Sequence, residues 1–350
     1  MKTMSGLYTL SPGRKLTETE QGLVWRKPKS HHTSEAELRI CREVKRNWNR
    51  GEMKIATILL EGDAGSGKTQ LAKALSAEFG LPYTKVTCFA DMDKSDVIGA
   101  ILPVLPSGQG DAAEQGEADG TAEAAGTAEA TEVAEAGTAG AAEAAGGDGV
   151  TYKFYASEIV RAYQNGYLLE IQEPTVIRDA AVLMALNSAL EPDGSINLPN
   201  GIIRRHPDFI AVITTNRSYS GTRPLNEALR DRVQHTEKMD LPTRAVMVER
   251  ASAKTGYTNV QVLERLADVI IVLDRTARAN AIKGVAGMRS YFYWVDAVAS
   301  GASAKESLYH KVIYKITTDD DEVKLLEEAL QSGGLLAGLE EAERDVKKNE

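Results

Sequence analysis

The sequence predicts an α/β protein in which a three-layer domain with a parallel sheet is followed by a small all-α domain. Three observations predict this fold class. Strand-like and helix-like stretches alternate up to about residue 240, which is typical of a parallel sheet covered by helices. A glycine-rich turn follows the first apolar strand and opens a helix. From residue 241 onward only helical periodicity is present.

Short apolar runs predict the strands, and apolar residues at helical spacing predict the helices. In the α/β part, strands are predicted at 55–61, 83–88, 167–172 and 209–215, and helices at 68–79, 157–164 and 179–190. Residues 195–205 carry apolar side chains on both sides of Asn200-Gly201, which predicts a β-hairpin with its turn at those two residues. In the all-α part, helices are predicted at 243–255, 261–279, 288–300 and 318–332.

These patterns divide the chain into an N-terminal extension (1–34), an α/β domain (35–240), a helical domain (241–335) and a charged tail (336–350). Residues 107–149 consist almost wholly of Ala, Gly, Glu and Thr, so they predict a mobile, solvated insertion that serves as a spacer. The insertion has ten acidic residues and no Lys or Arg, whereas the rest of the chain has a net charge of +1. A nearly neutral remainder gives no support for a nucleic-acid surface, so a nucleic-acid partner is not expected.

Cysteine usage and hydropathy predict a cytoplasmic protein. Cys41 and Cys88 lie far apart without a CxxC spacing, which favours neither a disulfide scaffold nor a zinc site. The N-terminus lacks the apolar core of a signal peptide, and the longest apolar runs are too short to span a bilayer, so no membrane insertion is expected. His31 and His32 have no partner at metal-ligand spacing and are predicted to be surface residues.

The glycine-rich turn matches the phosphate-loop pattern G-x-x-x-x-G-K-[ST] in full, between a strand and a helix. Glycines allow backbone N–H groups to surround anionic phosphates, and the helix N-terminus adds its positive dipole. Lys68 would place a charge on the β and γ phosphates of ATP, and the Thr69 hydroxyl could ligate Mg²⁺. The predicted nucleotide-binding residues are Gly62, Asp63, Ala64, Gly65, Ser66, Gly67, Lys68, Thr69 and Gln70.

A triphosphatase also needs an acidic group near Mg²⁺, and the strand that ends in Glu170-Ile171-Gln172-Glu173 is the candidate. Here the sequence resembles AAA+ proteins, which carry four apolar residues followed by Asp-Glu at this place. The resemblance puts Gln172 at the Asp position and Glu173 at the catalytic Glu position. Because strand side chains alternate, Glu170 and Gln172 should share a face. We therefore expect a metal site of Thr69, Glu170 and Gln172, in which Glu170 supplies the carboxylate and Gln172 binds a metal-bound water.

The same resemblance implies roles for further residues. Glu173 would activate the attacking water, and Asn216, at the end of the next strand, would orient it. Arg232, with Arg230 as the second candidate, would be an arginine finger that completes a neighbouring subunit's site. Arg289, at a helix start in the helical domain, resembles the lid arginine that reaches the γ-phosphate. Because Gln172 lacks a charge, a site that binds nucleotide with slow or no hydrolysis is the alternative.

The phosphate loop, the predicted hairpin and the string GTRPLNEA at 221–228 resemble the MoxR and dynein-related group of AAA+ proteins, which includes the gas-vesicle and carboxylase-activating ATPases. The resemblance implies an ATP- and Mg²⁺-dependent hexameric ring that remodels a protein partner carrying a von Willebrand factor A domain. Two alternatives stay open: a nucleotide-gated binding scaffold with weak hydrolysis, and a GTP- or ATP-using motor subunit of a nucleic-acid-processing complex. The sequence shows no residue that would distinguish ATP from GTP.

Overall fold

The computed structural model describes residues 7–104, 151–191, 193–216 and 224–339. The whole of the predicted insertion 107–149, most of the predicted tail 336–350, and residues 221–223 of the GTRPLNEA string lie outside the described residues. The strands are β1 Thr57–Gly62, β2 Tyr83–Thr87, β3 Gly99–Val104, β4 Thr151–Ala156, β5 Leu168–Gln172, β6 Ser195–Leu198, β7 Gly201–Arg204, β8 Ile210–Thr215 and β9 His235–Met239.

Among the described residues, the seven helices that helical spacing predicts begin and end within two residues of the predicted positions, whereas the other six were not predicted. The helices are α1 Glu18–Leu23, α2 Glu35–Asn47, α3 Lys68–Phe79, α4 Lys94–Ile98, α5 Glu158–Asn165, α6 Ala180–Leu190, α7 Glu227–Asp231, α8 Arg244–Thr255, α9 Val260–Ala279, α10 Met288–Ala299, α11 Ala304–Leu308, α12 Tyr314–Ile316 and α13 Asp320–Ser332. A π-helical segment, Tyr309–Ile313, joins α11 to α12. Side-chain caps explain several starts, because the side chains of Ser157 and Asp179 accept hydrogen bonds from the first turns of α5 and α6.

Five parallel strands form the central sheet in the order β2-β5-β8-β1-β9. Alternate residues of β1 point to opposite faces: Ile58 and Leu60 pack with α2 and α3, whereas Leu59 packs with α5 and α6. The sheet is therefore buried on both sides, which is why its inner strands are continuous apolar runs. The predicted three-layer α/β fold is confirmed.

Two antiparallel hairpins project from this core. In the first, β3 pairs with β4 up to the pair Val104–Thr151, so the low-complexity insertion connects two strands that lie side by side. The second joins β6 to β7 and confirms the hairpin predicted at 195–205. Its turn, however, is displaced by one residue: Leu198 pairs with Gly201, so the turn residues are Pro199-Asn200 and Gly201 already belongs to β7. Proline favours the first central position of a turn, which explains the shift.

The segment after β9 is helical, as the sequence predicts. α8, α9, α10 and α13 enclose one apolar core around Trp294 and Tyr291. Both aromatic side chains use their polar atoms inside this core: Trp294 Nε1 donates to Ala304 O at 3.0 Å, and Tyr291 Oη donates to Leu263 O at 2.8 Å. Among the described residues, no helix is long and apolar enough to cross a membrane.

The N-terminal extension packs against the α/β core. Leu10 is buried, and its N–H donates to Phe79 O at the end of α3. Arg14 donates to the carbonyls of Asn165, the last residue of α5, and of Gly166, which follows it. The extension therefore crosses the core before it reaches the phosphate loop, where residues 28–34 line the candidate site.

Candidate nucleotide-binding site

The carboxyl ends of β1, β5 and β8 meet at one edge of the sheet, and the predicted site residues follow these ends. The phosphate loop leaves β1 at Gly62 and enters α3 at Lys68. Gly65 and Gly67 have φ angles of 81° and 96°, a left-handed conformation that other residues adopt with strain. These glycines allow the loop to curl over the N-terminus of α3, whose free N–H groups favour an anion.

Lys68 is only 9% exposed and lies at the centre of this edge. Its Nζ donates to the carbonyls of Gly62 (2.8 Å) and Asp63 (3.0 Å) and to Asn216 Oδ1 (2.9 Å). Burial lowers the pKa of Lys68, and the carboxylate of Glu173 is the largest of the charges that oppose this shift. A buried ammonium held by neutral oxygens is suited to exchange them for phosphate oxygens, because a phosphate supplies the missing counter-charge.

Glu170 is fully buried in β5, and its carboxylate is surrounded by hydrogen-bond donors. These donors are Thr69 Oγ1 (2.9 Å), Tyr83 Oη (2.5 Å), Gln172 Nε2 (3.1 Å) and Thr214 Oγ1 (3.2 Å). Burial raises the pKa of Tyr83, and the nearby Glu170 raises it further, so this phenol remains a donor. Side chains from the first turn of α3 and from the strands β2, β5 and β8 thus surround one carboxylate.

The predicted metal ligands are adjacent in space. Besides the contact between Thr69 and Glu170, Gln172 Nε2 lies 3.0 Å from Thr69 Oγ1, so Glu170 and Gln172 do share a face of β5. A hydroxyl and a carboxylate are hard oxygen donors of the kind that Mg²⁺ prefers, so the residues present fit this ion. In such a site Mg²⁺ neutralises charge on the β and γ phosphates of a bound triphosphate.

Glu173 and Asn216 form a second pair beside Lys68. Glu173 is one of two described non-glycine residues with positive φ (53°). Its N–H donates to Thr214 O at 2.8 Å, and its Oε2 accepts from Asn216 N at 3.1 Å. The left-handed conformation costs about 1–3 kcal/mol and turns the chain sharply after β5. Because of this turn, Glu173 lies beside the end of β8 and next to Asn216, where two polar groups could hold a water.

The three arginines lie in different surroundings. Arg289 starts α10 and lines the same cleft as the phosphate loop, with its backbone beside Gly65. Arg232, at the end of α7, is held outside the cleft by Glu191 and by Ala228 O (2.7 Å). Arg230 pairs with Glu61 at 3.2 Å. Neither Arg230 nor Arg232 lines this chain's own cleft, and their proposed action on a neighbouring subunit stays a prediction.

A cleft of about 760 Å³ extends from the phosphate loop between the N-terminal segment 28–34 and the helices α8 and α10. The prediction that His31 and His32 are surface residues is wrong for His31, whereas His32 lies at the surface with 29% of its side chain exposed. The His31 side chain is 8% exposed, and its Nε2 lies 2.9 Å from Glu37 Oε2. His32 Nδ1 lies 2.8 Å from Glu249 Oε1 in α8, and both histidines line the cleft. The partner of His32 is 217 positions away, so local spacing could not indicate it.

Sequence reasoning also missed several polar residues of the site. Tyr83 and Thr214 hold Glu170, and Arg250 and Lys254 of α8 line the far wall of the cleft. Glu170 pairs in register with Lys85 of β2 and Val212 of β8, so Tyr83 and Thr214, each two positions from these partners, lie on the same face of the sheet as Glu170. Only the polar character of Thr214 inside an otherwise apolar strand could have indicated it.

The strand order, the phosphate loop after β1 and the helical unit beside the cleft define an AAA+ P-loop fold. A family model described as the AAA domain of the dynein-related subfamily matches residues 57–128. This match contains β1, the whole phosphate loop, α3 and β2.

Two curated relatives are themselves uncharacterised. The protein YojN of Bacillus subtilis (strain 168) is 27% identical over 177 residues, which are 50% of this chain and 45% of YojN. A protein of Staphylococcus aureus (strain USA300) is 27% identical over 209 residues, which are 58% of this chain and 64% of that protein. The chain thus covers less than two thirds of the length of these relatives. A solved RuvB mutant of Thermotoga maritima is 15% identical, with 85% of this chain and 70% of that chain covered and a TM-score of 0.43.

Proposed function

We propose that this chain is a Mg²⁺-dependent ATPase that uses the cleft beside the phosphate loop. One observation carries the proposal: the groups that a triphosphatase needs converge there from separate elements. Lys68 and Thr69 come from α3, Glu170 from β5 and Asn216 from the end of β8. Neither charge pairing nor hydrophobic packing explains why these polar groups lie together. Their convergence therefore supports phosphate chemistry.

The proposed chemistry divides among the residues as follows. Lys68 binds the β and γ phosphates, and Thr69 with Glu170 holds Mg²⁺. Glu173 accepts a proton from the attacking water, and Asn216 holds that water in line with the γ-phosphate. Arg289 stabilises negative charge on the γ-phosphate from the helical side of the cleft.

We further propose that the chain assembles into a ring, hexameric as in the MoxR group, and remodels a protein partner with a von Willebrand factor A domain. This part rests on the sequence resemblance and on the exposed position of α7. Arg232, which directly follows α7, would enter the site of the adjacent subunit and complete it. The ring would then couple hydrolysis in one subunit to movement in the next.

Steady-state phosphate release from ATP and from GTP tests the proposal. The wild type should hydrolyse ATP, and Lys68→Ala should reduce turnover to the background of the buffer. Lys94→Ala is the matched control, because Lys94 is exposed at the start of α4 and outside the cleft. Equal turnover in the wild type and Lys68→Ala would contradict ATP hydrolysis at this site.

A nucleotide-gated scaffold is the second candidate, and Gln172 favours it. A neutral amide stands where the AAA+ pattern has a carboxylate, so only Glu170 contributes negative charge beside Thr69. A scaffold would bind ATP and change its affinity for a partner without steady turnover. Saturable ATP binding together with phosphate release no faster than in Lys68→Ala would support this candidate over the ATPase.

A further inference from the structure

The phosphate loop is tied to the helical unit by an ion pair that neither the sequence pattern nor the proposed chemistry uses. Arg278, near the end of α9, contacts three carboxylates from three parts of the chain. It pairs with Asp63 in the phosphate loop, with Asp274 one turn earlier in α9 (2.9 Å) and with Asp240 after β9 (3.8 Å). The pair with Asp63 therefore joins two units that are about 215 positions apart in sequence.

The carboxylate of Asp63 is buried, so its charge needs a nearby cation. Asp63 is only 4% exposed, whereas the Arg278 side chain is 34% exposed, so water screens the pair from the arginine side only. A buried carboxylate that loses its cation is left with an uncompensated charge, so the surrounding backbone must move or admit water. The backbone concerned is the phosphate loop itself.

Asp63 also shapes the loop through its main chain. Its carbonyl accepts hydrogen bonds from Ser66 N (3.1 Å) and from Lys68 Nζ (3.0 Å). The same residue thus fixes the turn, holds the phosphate-binding lysine and reaches Arg278 with its side chain. A displacement of Asp63 would change the position of Lys68.

The residues at the start of α10 also contact the phosphate loop. A Cβ on Gly287 would lie 2.9 Å from Ala64 O, so only glycine fits there without a shift. A Cβ on Gly65 would lie 3.5 Å from Arg289 Cβ, which is van der Waals contact. The helical unit therefore touches three consecutive loop residues, Asp63, Ala64 and Gly65.

We infer that Arg278 is a positioning residue for the phosphate loop: its pair with Asp63 makes the nucleotide-binding shape of the loop depend on the helical unit. Lys68 and the loop amides would then be correctly placed only while α9 is docked. Because the contact is reciprocal, a triphosphate that orders the loop would also hold α9 in place. The effect of Arg278 on the conformation of the phosphate loop is independent of the proposed ATPase function. Its effect on the affinity for a triphosphate rests on that function.

The test compares Arg278→Gln, Arg278→Lys and Asp63→Asn with the control Arg275→Gln, which removes an exposed charge from the same helix. The first readout is amide hydrogen exchange of residues 62–69 in the ligand-free chain, with residues 210–215 of β8 as the internal reference. We expect about tenfold faster loop exchange in Arg278→Gln and Asp63→Asn, a smaller increase in Arg278→Lys and none in Arg275→Gln. The double variant Arg278→Gln/Asp63→Asn should not exceed Arg278→Gln, because the second substitution acts on a pair that the first has already removed.

The second readout is the affinity and turnover of MgATP. We expect the dissociation constant to rise about tenfold in Arg278→Gln, with kcat at saturating ATP within about twofold of the wild type, because the pair acts on ground-state binding. Unchanged loop exchange in folded Arg278→Gln, or an equal increase in β8, would overturn the positioning role. A wild type without affinity for MgATP would instead overturn the proposed ATPase, and the exchange measurement would still decide the role of Arg278.

Discussion

Glu170 is a charged side chain in a place where charge is costly. Removing a carboxylate from water costs several kcal/mol unless hydrogen bonds or a cation offset it. Donors from α3, β2, β5 and β8 supply the hydrogen bonds, and the Thr69 hydroxyl is the nearest group that could share a metal with it. A buried carboxylate whose removal from water is offset by several hydrogen bonds is typical of a functional site.

Glu170→Gln tests the metal role because it keeps the size of the side chain and removes its charge. We expect Mg²⁺-dependent turnover to fall about 10–100-fold, since the predicted metal site of Thr69, Glu170 and Gln172 would lose its carboxylate. Affinity for ATP in the presence of EDTA should change little. Measuring turnover against Mg²⁺ concentration checks this, and an unchanged Mg²⁺ requirement would exclude Glu170 from the metal site.

Glu173→Gln separates binding from chemistry at the neighbouring residue. The amide retains the size of the carboxylate but cannot accept a proton, so turnover should fall about 100-fold or more while MgATP still binds. Phosphate release and equilibrium binding, measured on the same preparation, decide the outcome. Full activity in Glu173→Gln would assign the proton acceptor to another group.

The two cysteines give a prediction about reactivity. Burial raises the pKa of the Cys88 thiol to about 12, and burial also raises that of Cys41. At pH 8 both should remain protonated and unreactive in the folded chain, because the thiolate is the nucleophile. A thiol-reactive dye should label neither in buffer and both in urea. Rapid labelling of native protein would show that one of the two is accessible.

Among the elements, the β3–β4 hairpin has the most unusual connection. Its strands pair up to Val104 and Thr151, and the 46 residues between them carry the low-complexity composition. Each doubling of loop length costs only about 0.6 kcal/mol in closure entropy, so a long spacer can be tolerated here. The paired strands, rather than the loop, determine the position of β4 and α5.

Replacing residues 105–150 by Asn-Gly should therefore preserve the fold. That dipeptide suits a two-residue hairpin turn, and the shorter loop should raise the free energy of unfolding by about 1–3 kcal/mol. Thermal unfolding of the shortened and full chains, with phosphate release as the second measurement, tests this. A lowered midpoint would mean that the insertion packs on the folded part of the chain.

The accuracy of the sequence predictions differed between elements for physical reasons. β1, β5 and β8 are buried on both faces, so each is a mostly apolar run that the pattern reveals, although β5 also contains Glu170. β9 was missed because its sequence HTEKM is mostly polar: it is an edge strand that pairs only with β1. The β3–β4 hairpin was missed because the insertion separates its strands. In the site, the shared face of Glu170 and Gln172 could be predicted because side chains alternate along a strand. The contact of Arg278 with Asp63 could not, because it depends on how α9 packs against the α/β core.

At the scale of the whole molecule, the proposed ring requires Arg232 to leave its own subunit. Its pair with Glu191 lies at the surface and is worth about 1 kcal/mol or less, so an interface could replace it. The N-terminal extension and the helical unit already enclose the cleft from two sides, as the contact of His32 with Glu249 shows. A neighbouring subunit would close the remaining side, next to Glu173 and Asn216.

Mixing two inactive variants tests this arrangement. Arg232→Ala should lose about 10³-fold or more of its turnover, as expected for an arginine finger, and Lys68→Ala lacks a working site but retains Arg232. A mixture should regain part of the activity, because mixed rings contain intact sites beside intact fingers. Arg230→Ala, the second candidate, is compared in the same way, and a loss of turnover in Arg230→Ala alone would assign the finger to Arg230. Normal hydrolysis by Arg232→Ala in an intact oligomer would contradict the finger assignment.

The central claim is that the loop from Gly62 to Thr69 binds a triphosphate, and titration calorimetry with MgATP tests it most directly. The wild type should show saturable binding of one nucleotide per chain, and Lys68→Ala should bind about 10–100-fold more weakly, because the buried ammonium makes charge-assisted hydrogen bonds to the phosphates. Folded wild-type protein that gives no saturable heat, or a Lys68→Ala variant with undiminished affinity, would contradict the claim.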